Sequence, residues 1–182
     1  MLESAFNKFY WGFFFIMIDF RLQGVDVFPD IIGYCLFATG FSILALRSSC
    51  FEKARRLNII MIVLSILQIY ERPAQGSGIN FGAFGPVGFI IGVASTILSL
   101  FVIYNLFMGI RDMASLQGQI NIREEAEKRW TQYLMLQLAG LFAIILIIIP
   151  PIALIFIIGI FVFSIVLAIV IMGFMKSCGT SL

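Results

Sequence analysis

Charged side chains interrupt the apolar amino-terminal part of the chain in one short segment, DFRLQGVDVFPD, residues 19–30. Its charged residues are Asp19, Arg21, Asp26 and Asp30. Carboxylates beside a long apolar run can bind a cation or exchange a proton, and an ionisable residue at membrane depth commonly serves ion or proton movement. These four residues therefore form our candidate binding mouth.

A purely structural role is the competing interpretation of this segment. Gly24 and Pro29 suit a turn, and Asp30 suits the N-cap of a following helix, where its carboxylate would accept from unpaired backbone amides. Asp19 would simply end the preceding helix if it lay at the level of the lipid headgroups. Both interpretations stay open on the sequence, and the depth of Asp19 decides between them.

Other residues capable of catalysis are sparse. The chain contains no histidine, and its three cysteines form no close-spaced motif. We therefore expect no catalytic residue, no metal site and no cofactor. Asp19 and Glu71 would be the only acid–base pair available to an intramembrane enzyme, and no nucleophile accompanies them.

A glycine-rich segment, ERPAQGSGINFGAFGPVG, covers residues 71–88. It lacks the lysine and the serine or threonine that end a nucleotide-binding loop. Several of its residues, among them Ile79, Phe81 and Phe84, are unusually apolar for a free loop. The sequence therefore predicts a flexible external loop or, as the alternative, a re-entrant segment over residues 74–88.

Composition indicates the environment of the chain. Of its 182 residues 61% are hydrophobic and only 12% are charged, too few polar residues to cover a water-soluble globule. The sequence therefore predicts an all-α, polytopic transmembrane helix bundle that forms a single domain over residues 1–182. A spanning helix needs about 20 mainly apolar residues. Six segments approach that length, and they cover residues 5–22, 31–46, 57–70, 87–110, 131–149 and 152–175.

The distribution of basic residues orients these spans. In a six-span topology ten lysines and arginines fall on one side of the membrane, and two, Arg21 and Arg72, fall on the other. By the positive-inside rule both termini are then cytoplasmic. The spans form three external hairpins, joined by cytoplasmic links at 47–56 and 111–130. A net charge of +2 gives no indication of nucleic-acid binding.

Two local patterns concern the path of the chain. Pro150 and Pro151 interrupt an apolar run about twice as long as one bilayer crossing, which favours a tight turn over one long kinked helix. Small residues that would let neighbouring helices approach closely occur in the second and fourth spans: Gly33, Gly40, Gly88, Gly92, Ala94 and Ser95.

The second cytoplasmic link has a helical pattern. A helix is expected to begin near Asn121 and to continue into the fifth span. Glu124 with Lys128 and Glu125 with Arg129 are oppositely charged pairs one helical turn apart, in the favourable order. We expect a solvated surface helix there, with docking of a cytoplasmic partner as the alternative.

The pattern W-G-F-F-F-I, D-F-R, G-V-D-V-F-P-D-I-I-G-Y, from Trp11 to Tyr34, resembles small, uncharacterised membrane proteins of Gram-positive spore-forming bacteria. The resemblance covers most of the chain and implies a bacterial cell membrane, with no established activity. In architecture alone, the six-span arrangement is similar to the substrate-capture subunits of energy-coupling-factor vitamin transporters. Those subunits carry an alanine-x-x-x-alanine pattern in the first span, whereas here Ala139 and Ala143, in the fifth span, have that spacing.

On the sequence alone we expect a non-enzymatic interaction or accessory protein of the cell membrane. Its partners would be membrane lipid and either another membrane protein or a second copy of this chain, with no nucleic acid. The alternative is a small solute or ion transport component, in which the acidic residues form an external mouth beneath the glycine-rich loop. The sequence identifies neither a substrate nor a partner.

Overall fold

The computed structural model describes residues 1–17, 21–22, 25–26, 30–68, 86–146 and 149–182. These residues form six α-helices and one short two-stranded ladder, which confirms the predicted helical class. The helices are α1 (Leu2–Met17), α2 (Asp30–Leu44), α3 (Ser49–Gln68), α4 (Pro86–Leu116), α5 (Ile120–Leu146) and α6 (Pro150–Ser181). In the ladder, β1 (Arg21–Leu22) pairs antiparallel with β2 (Val25–Asp26).

Helical structure continues through most of the two segments predicted as links. α3 already begins at Ser49, α4 runs on to Leu116, and α5 begins at Ile120. Between α2 and α3 the helical structure is interrupted only at residues 45–48, and between α4 and α5 only at residues 117–119. The helices are longer than the spans predicted from hydropathy here, because charged residues that lower the hydropathy of a segment still favour helix.

Local contacts explain these extensions. Arg129 lies 2.6 Å from the carboxylate of Glu125 one helical turn earlier, as predicted, and Arg56 pairs with Glu52 in the same way. After α4, Gly118 adopts a φ of +70°, a conformation that glycine enters without steric cost. A glycine in this conformation commonly ends a helix, so Gly118 accounts for the end of α4.

The predicted hairpin at the paired prolines is confirmed. α6 begins at Pro150, with the prolines in its first turn, where their missing amide donors cost nothing. α5 and α6 then pack antiparallel, and the rings of Phe142 and Phe156 lie 6.0 Å apart. The helix start predicted near Asn121 is also confirmed, one residue after Ile120.

The six helices form a closed antiparallel ring. Each helix packs against its neighbours in sequence, and α6 packs back onto α1. Contacts between opposite helix ends show the antiparallel order: the ring of Tyr104 in α4 lies 5.1 Å from that of Trp130 near the start of α5. At the closing contact, a Cβ placed on Gly179 would lie 3.5 Å from the Cα of Glu3.

This order brings ten of the twelve lysines and arginines to one end of the ring, which we name the basic end. They are Lys8, Arg47, Lys53, Arg55, Arg56, Arg111, Arg123, Lys128, Arg129 and Lys176. Both chain termini lie at the same end, and Nε2 of Gln117 donates to the carbonyl oxygen of Leu182 over 3.1 Å. The ten basic residues that the sequence predicts on one side of the membrane therefore lie at one end of the folded ring.

Phenylalanine side chains fill the interior of the ring towards the basic end. The ring of Phe107 in α4 lies 6.1 Å from that of Phe13 in α1 and 6.2 Å from that of Phe174 in α6. These three side chains thus meet inside the ring. Further phenylalanines that are fully buried around them are Phe6, Phe9, Phe37, Phe41 and Phe51. We name this set the phenylalanine core.

Glycine allows α1 and α2 to cross at very short range. A Cβ placed on Gly33 would lie 2.8 Å from the carbonyl oxygen of Gly12, and one placed on Gly40 would lie 2.6 Å from the ring of Phe9. The predicted close approach is therefore confirmed at Gly33 and Gly40. It is wrong for Gly92, where an added Cβ would meet open space.

Among the residues that the structure describes, two helices are long and apolar enough to cross a membrane: the Ile90–Leu116 part of α4, with a mean hydropathy of 2.1, and α6, with 3.4. Only 17% of the most apolar window of α6 is buried inside the protein. Its apolar residues therefore face outwards, unlike those of a helix that forms the core of a soluble domain.

Replacing Gly33 with alanine should destabilise the fold, because the new Cβ would press on backbone atoms of α1 that cannot rotate away. We expect a loss of about 1–3 kcal/mol. Gly173→Ala is the matched control, since its Cβ meets open space and alanine favours helix by roughly 1 kcal/mol. Thermal unfolding in a mild detergent measures both variants. Equal unfolding midpoints would contradict the close crossing of α1 and α2.

Candidate functional site

The half of the ring opposite the basic end contains a cavity of about 520 Å³, which we name the chamber, and all six helices contribute to it. Its polar lining residues are Asp30, Tyr34, Ser95, Thr96, Ser99, Tyr133, Gln137 and Ser164. Its apolar and glycine lining residues are Ile16, Met17, Met61, Gly92, Leu136, Gly140 and Ile160. Such a concentration of polar groups inside helices with an apolar exterior marks a candidate binding site.

Three of the chamber hydroxyls donate their protons to backbone carbonyls of their own helices. Oγ1 of Thr96 donates to the carbonyl oxygen of Gly92, and Oγ of Ser99 to that of Thr96, each over 3.0 Å. Oγ of Ser164 donates to the carbonyl oxygen of Phe161 over 2.8 Å. A hydroxyl that donates in this way keeps lone pairs that can accept. These side chains therefore offer the chamber mainly hydrogen-bond acceptors.

Tyr133 and Gln137 lie one turn apart on α5 and bond to each other. Nε2 of Gln137 donates to the Tyr133 hydroxyl oxygen over 2.9 Å. The same tyrosine hydroxyl is within hydrogen-bonding reach of Ser99 on α4. Tyr133 is almost completely buried, with 2% of its surface exposed. It therefore links the polar faces of α4 and α5 at the inner end of the chamber.

Asp30 is the first residue of α2 and brings a carboxylate to the chamber. The positive end of the helix dipole favours a negative charge at that position. The carboxylate is close enough to Tyr34 and Tyr133 to interact electrostatically with both. Among the described lining residues there is no lysine or arginine, so the charge that they carry is negative. This lining favours a cation or a hydrogen-bond donor over an anion.

Asn58 of α3 holds the part of α2 that carries Tyr34. Its side chain is fully buried, and Nδ2 donates to the carbonyl oxygen of Tyr34 over 2.7 Å. Since a carbonyl oxygen can only accept, this bond fixes which way the amide points. Oδ1 of Asn58 has no hydrogen-bond partner among the residues that the structure describes. Asn58 therefore links α3 to α2, which forms part of the chamber wall, through one hydrogen bond that its amide donates.

The predicted binding mouth can now be placed in part. Asp30 lines the chamber, and it is the first residue of α2, where the sequence indicated a helix start. Arg21 and Asp26 face each other across the β1–β2 ladder, and the structure describes only their backbone. Asp19 and Glu71 lie outside the described residues, as does the glycine-rich segment as far as residue 85. The depth of Asp19 stays a prediction.

Reasoning from the sequence missed the hydroxyl and amide residues of the chamber, although a signal was present. Small and polar residues recur at helical spacing on one face of α4 and on one face of α5: Gly92, Thr96 and Ser99, and Tyr133, Gln137 and Gly140. Such a face on an apolar helix points to the interior of a bundle. Only the closed ring shows that the two faces meet, because serine and threonine also bond to their own backbone in helices of any kind.

A second polar cluster lies at the basic end, where α3 begins beside the end of α4. Oγ of Ser48 donates to the Asp112 carboxylate over 3.0 Å and accepts from the backbone N–H of Cys50 over 3.2 Å, which caps α3. Arg111 lies 3.6 Å from carboxylate oxygens of both Asp112 and Glu127. These bonds tie α3, α4 and α5 together. Within the described ranges, no group of three or more metal-ligating side chains occurs.

Asn58→Asp should destabilise the protein far more than Asn58→Leu. Aspartate replaces the donor with an acceptor that faces the Tyr34 carbonyl oxygen, and it buries a polar group without a partner. Leucine fills a similar volume and leaves no buried polar atom, and the lost interhelical bond is worth only about 0.6 kcal/mol in membrane proteins. Thermal unfolding in detergent compares the two. Equal losses would show that the amide donor at this position contributes nothing.

No protein-family model, no curated protein and no solved structure matches the chain. The basis for a functional conclusion is therefore the chamber, its lining and the surface of the ring around it.

Proposed function

We propose that the six helices are six spans of one polytopic membrane protein, with the basic end on the cytoplasmic side. The exterior of the ring is largely apolar, with exposed Ile60, Phe101, Ile145 and Phe161 on four different helices. Water-soluble monomers rarely expose continuous apolar surface on this scale. The ten basic residues at one end provide the charge asymmetry that orients membrane proteins.

In this orientation the chamber occupies the outer half of the bilayer and extends towards its middle. Ser99 lies 13 residues after Pro86, the first residue of α4. That distance is about 20 Å along a helix axis, and the hydrocarbon core of a bilayer is about 30 Å thick. Polar groups collected at this depth are costly unless they bond internally or serve a ligand.

The function that this chamber supports best is binding of a small ligand that donates hydrogen bonds and is either uncharged or cationic. A volume of about 520 Å³ lies in the range of small-molecule sites, roughly 300–1,000 Å³. Thr96, Ser99 and Ser164 offer acceptors, and the Asp30 carboxylate makes the charge of the described lining negative. The acceptor-rich lining is the observation that carries the proposal.

The phenylalanine core separates the chamber from the basic end, so the described residues close the chamber towards that end. A ligand taken from outside would reach the cytoplasm only after the helices rearrange. The fitting role is therefore a solute-capture component of a transport system, the alternative that the sequence left open beside an accessory protein. Such a role would parallel the substrate-capture subunits that the six-span arrangement resembles.

Reporter fusions test the six-span topology. A green fluorescent protein fused to either terminus should fluoresce in a bacterial host, because it folds only in the cytoplasm. Alkaline phosphatase inserted after Gly76 should be active, since that enzyme matures only outside. The matched control is the same insertion after Gly118, which should be inactive. An active enzyme after Gly118, or a dark carboxy-terminal fusion, would contradict the topology.

Thiol chemistry tests the chamber itself. In a variant without the three native cysteines, Ser164→Cys places a thiol on the chamber wall. A cationic methanethiosulfonate reagent added from outside should modify it several-fold faster than an anionic one, because Asp30 carries the charge of the lining. Asp30→Asn should remove this difference. A small ammonium compound or polyol that binds the chamber should protect the thiol.

Ile165→Cys is the control for this experiment, because Ile165 faces outwards on α6 next to Ser164 and should meet lipid. Its thiol should react with neither reagent, since the reactive thiolate does not form in hydrocarbon. The chamber hypothesis fails if Ser164→Cys is as unreactive as Ile165→Cys.

A further inference from the structure

An apolar cavity lies on the outside of the ring, in the seam between α5 and α6. Its volume is about 420 Å³, and it is lined by apolar side chains and one glycine, among them Ala139, Gly159 and Phe163. We name it the groove. It lies beside the chamber, in the half of the ring opposite the basic end, and in the six-span arrangement it opens towards lipid.

The groove and the chamber share two lining residues, Leu136 of α5 and Ile160 of α6. Side chains of the seam therefore separate the polar space from the apolar one, without an intervening helix. Glycines make the seam thin at this level. Gly140 lines the chamber, Gly159 lines the groove, and a Cβ on either residue would meet open space.

The α5–α6 seam differs from the other seams of the ring. At the α1–α2 and α3–α4 seams, Gly33 and Gly109 are pressed against the neighbouring helix, where an added Cβ would lie less than 3 Å from other atoms. Along α6, by contrast, only Ala153 is buried between Pro150 and Val166. Movement of a few side chains would open the chamber sideways between α5 and α6. An opening between α1 and α2 would require their two backbones to move apart.

We propose that the ligand of the chamber is a single-chain amphiphile. Its headgroup, a hydrogen-bond donor that is uncharged or cationic, occupies the chamber, and its hydrocarbon tail passes between Leu136 and Ile160 into the groove. This inference rests on the proposed function, because it requires six spans and a chamber that binds a ligand.

The physical roles of the two spaces differ. A tail that moves from bilayer to groove exchanges one hydrocarbon environment for another, so it gains little hydrophobic free energy. Hydrogen bonds in the chamber therefore determine which headgroup binds. The groove lets that headgroup reach the depth of Tyr133 and Ser99 while the tail stays among lipids. A fully soluble ligand would have no use for a thin seam on the lipid side.

Photo-crosslinking in phosphatidylcholine nanodiscs tests this route. The probe is a monoacylglycerol, diluted into the lipid, whose palmitoyl chain carries a diazirine at its middle, and mass spectrometry locates the modified residues. We expect modification to concentrate on Leu136 and Ile160, which are partly or fully shielded, rather than on Ile169, which is 64% exposed on the same helix as Ile160. Modification that simply follows lipid exposure, strongest at Ile169, would overturn the inference.

Variants of the groove make the test specific. Gly159→Phe should fill the groove and lower modification of Leu136 and Ile160 by about tenfold, the effect of losing roughly 1.4 kcal/mol of binding. Gly173→Phe is the matched control, the same substitution on α6 at a position that also has open space, away from the groove. It should leave the modification unchanged.

Ala139→Phe fills the groove from its other wall, so the test does not depend on one variant folding. Helicity and gel filtration identify the variants that fold, and the folded groove variant is the one compared with Gly173→Phe. If a folded groove variant is modified as strongly as the control, the proposed route is wrong.

The thiol of Ser164→Cys distinguishes failure of the amphiphile proposal from failure of the proposed function. If that thiol reacts from outside while the monoacylglycerol leaves the seam unmodified, the chamber hypothesis holds, its ligand is a soluble one, and the amphiphile is excluded. If the thiol is also unreactive, the proposed function itself fails.

Discussion

The contact of α1 with α2, together with the phenylalanine core beside it, is the constraint on which the rest of the ring depends. Gly12 and Gly33 bring the two backbones into contact, and Phe107 reaches across from α4 to meet side chains of α1 and α6. α1 ends at Met17 and α2 begins at Asp30, both at the level of the chamber. The chamber is the space inside the ring that the phenylalanine core does not fill.

The polar side chains of the chamber are arranged so that burying them costs little free energy. Thr96, Ser99 and Ser164 already donate to their own helices, so none of these three depends on a ligand for its hydroxyl proton. The carboxylate stands at the first residue of a helix, where unpaired backbone amides and the helix dipole favour it, rather than in the middle of a span. A fold with this lining can be stable while empty and still offer acceptors to a ligand.

Much of the fold could be predicted from the sequence, because it follows from patterns among residues that are close together in the chain. The helical class follows from composition, the hairpin from Pro150 and Pro151, and the ion pair of Glu125 with Arg129 from helical spacing. Helix ends were less accurate, because hydropathy marks where charged residues begin and not where a helix stops. α3 accordingly begins eight residues before the predicted span at 57.

The site was less predictable, because it depends on which helices close the ring. Asp30 could be named as a candidate, since a carboxylate between two apolar runs is conspicuous by itself. Tyr133 and Gln137 could not, because their meaning depends on facing Ser99 from another helix. No pattern within α5 alone shows that its polar face meets that of α4. Long-range contacts of this kind are set by topology, and a single sequence does not contain them in readable form.

The glycines show most clearly why residue type alone is insufficient. Gly33 and Gly109 are pressed against neighbouring helices, whereas Gly92, Gly140 and Gly159 border open space around the chamber and the groove. The missing side chain therefore serves close packing on the α1–α4 side of the ring and leaves room on the α4–α6 side. Because Gly33 and Gly109 are pressed against neighbouring helices while Gly140 and Gly159 border open space, the lateral entry that we propose lies on the α5–α6 side of the ring.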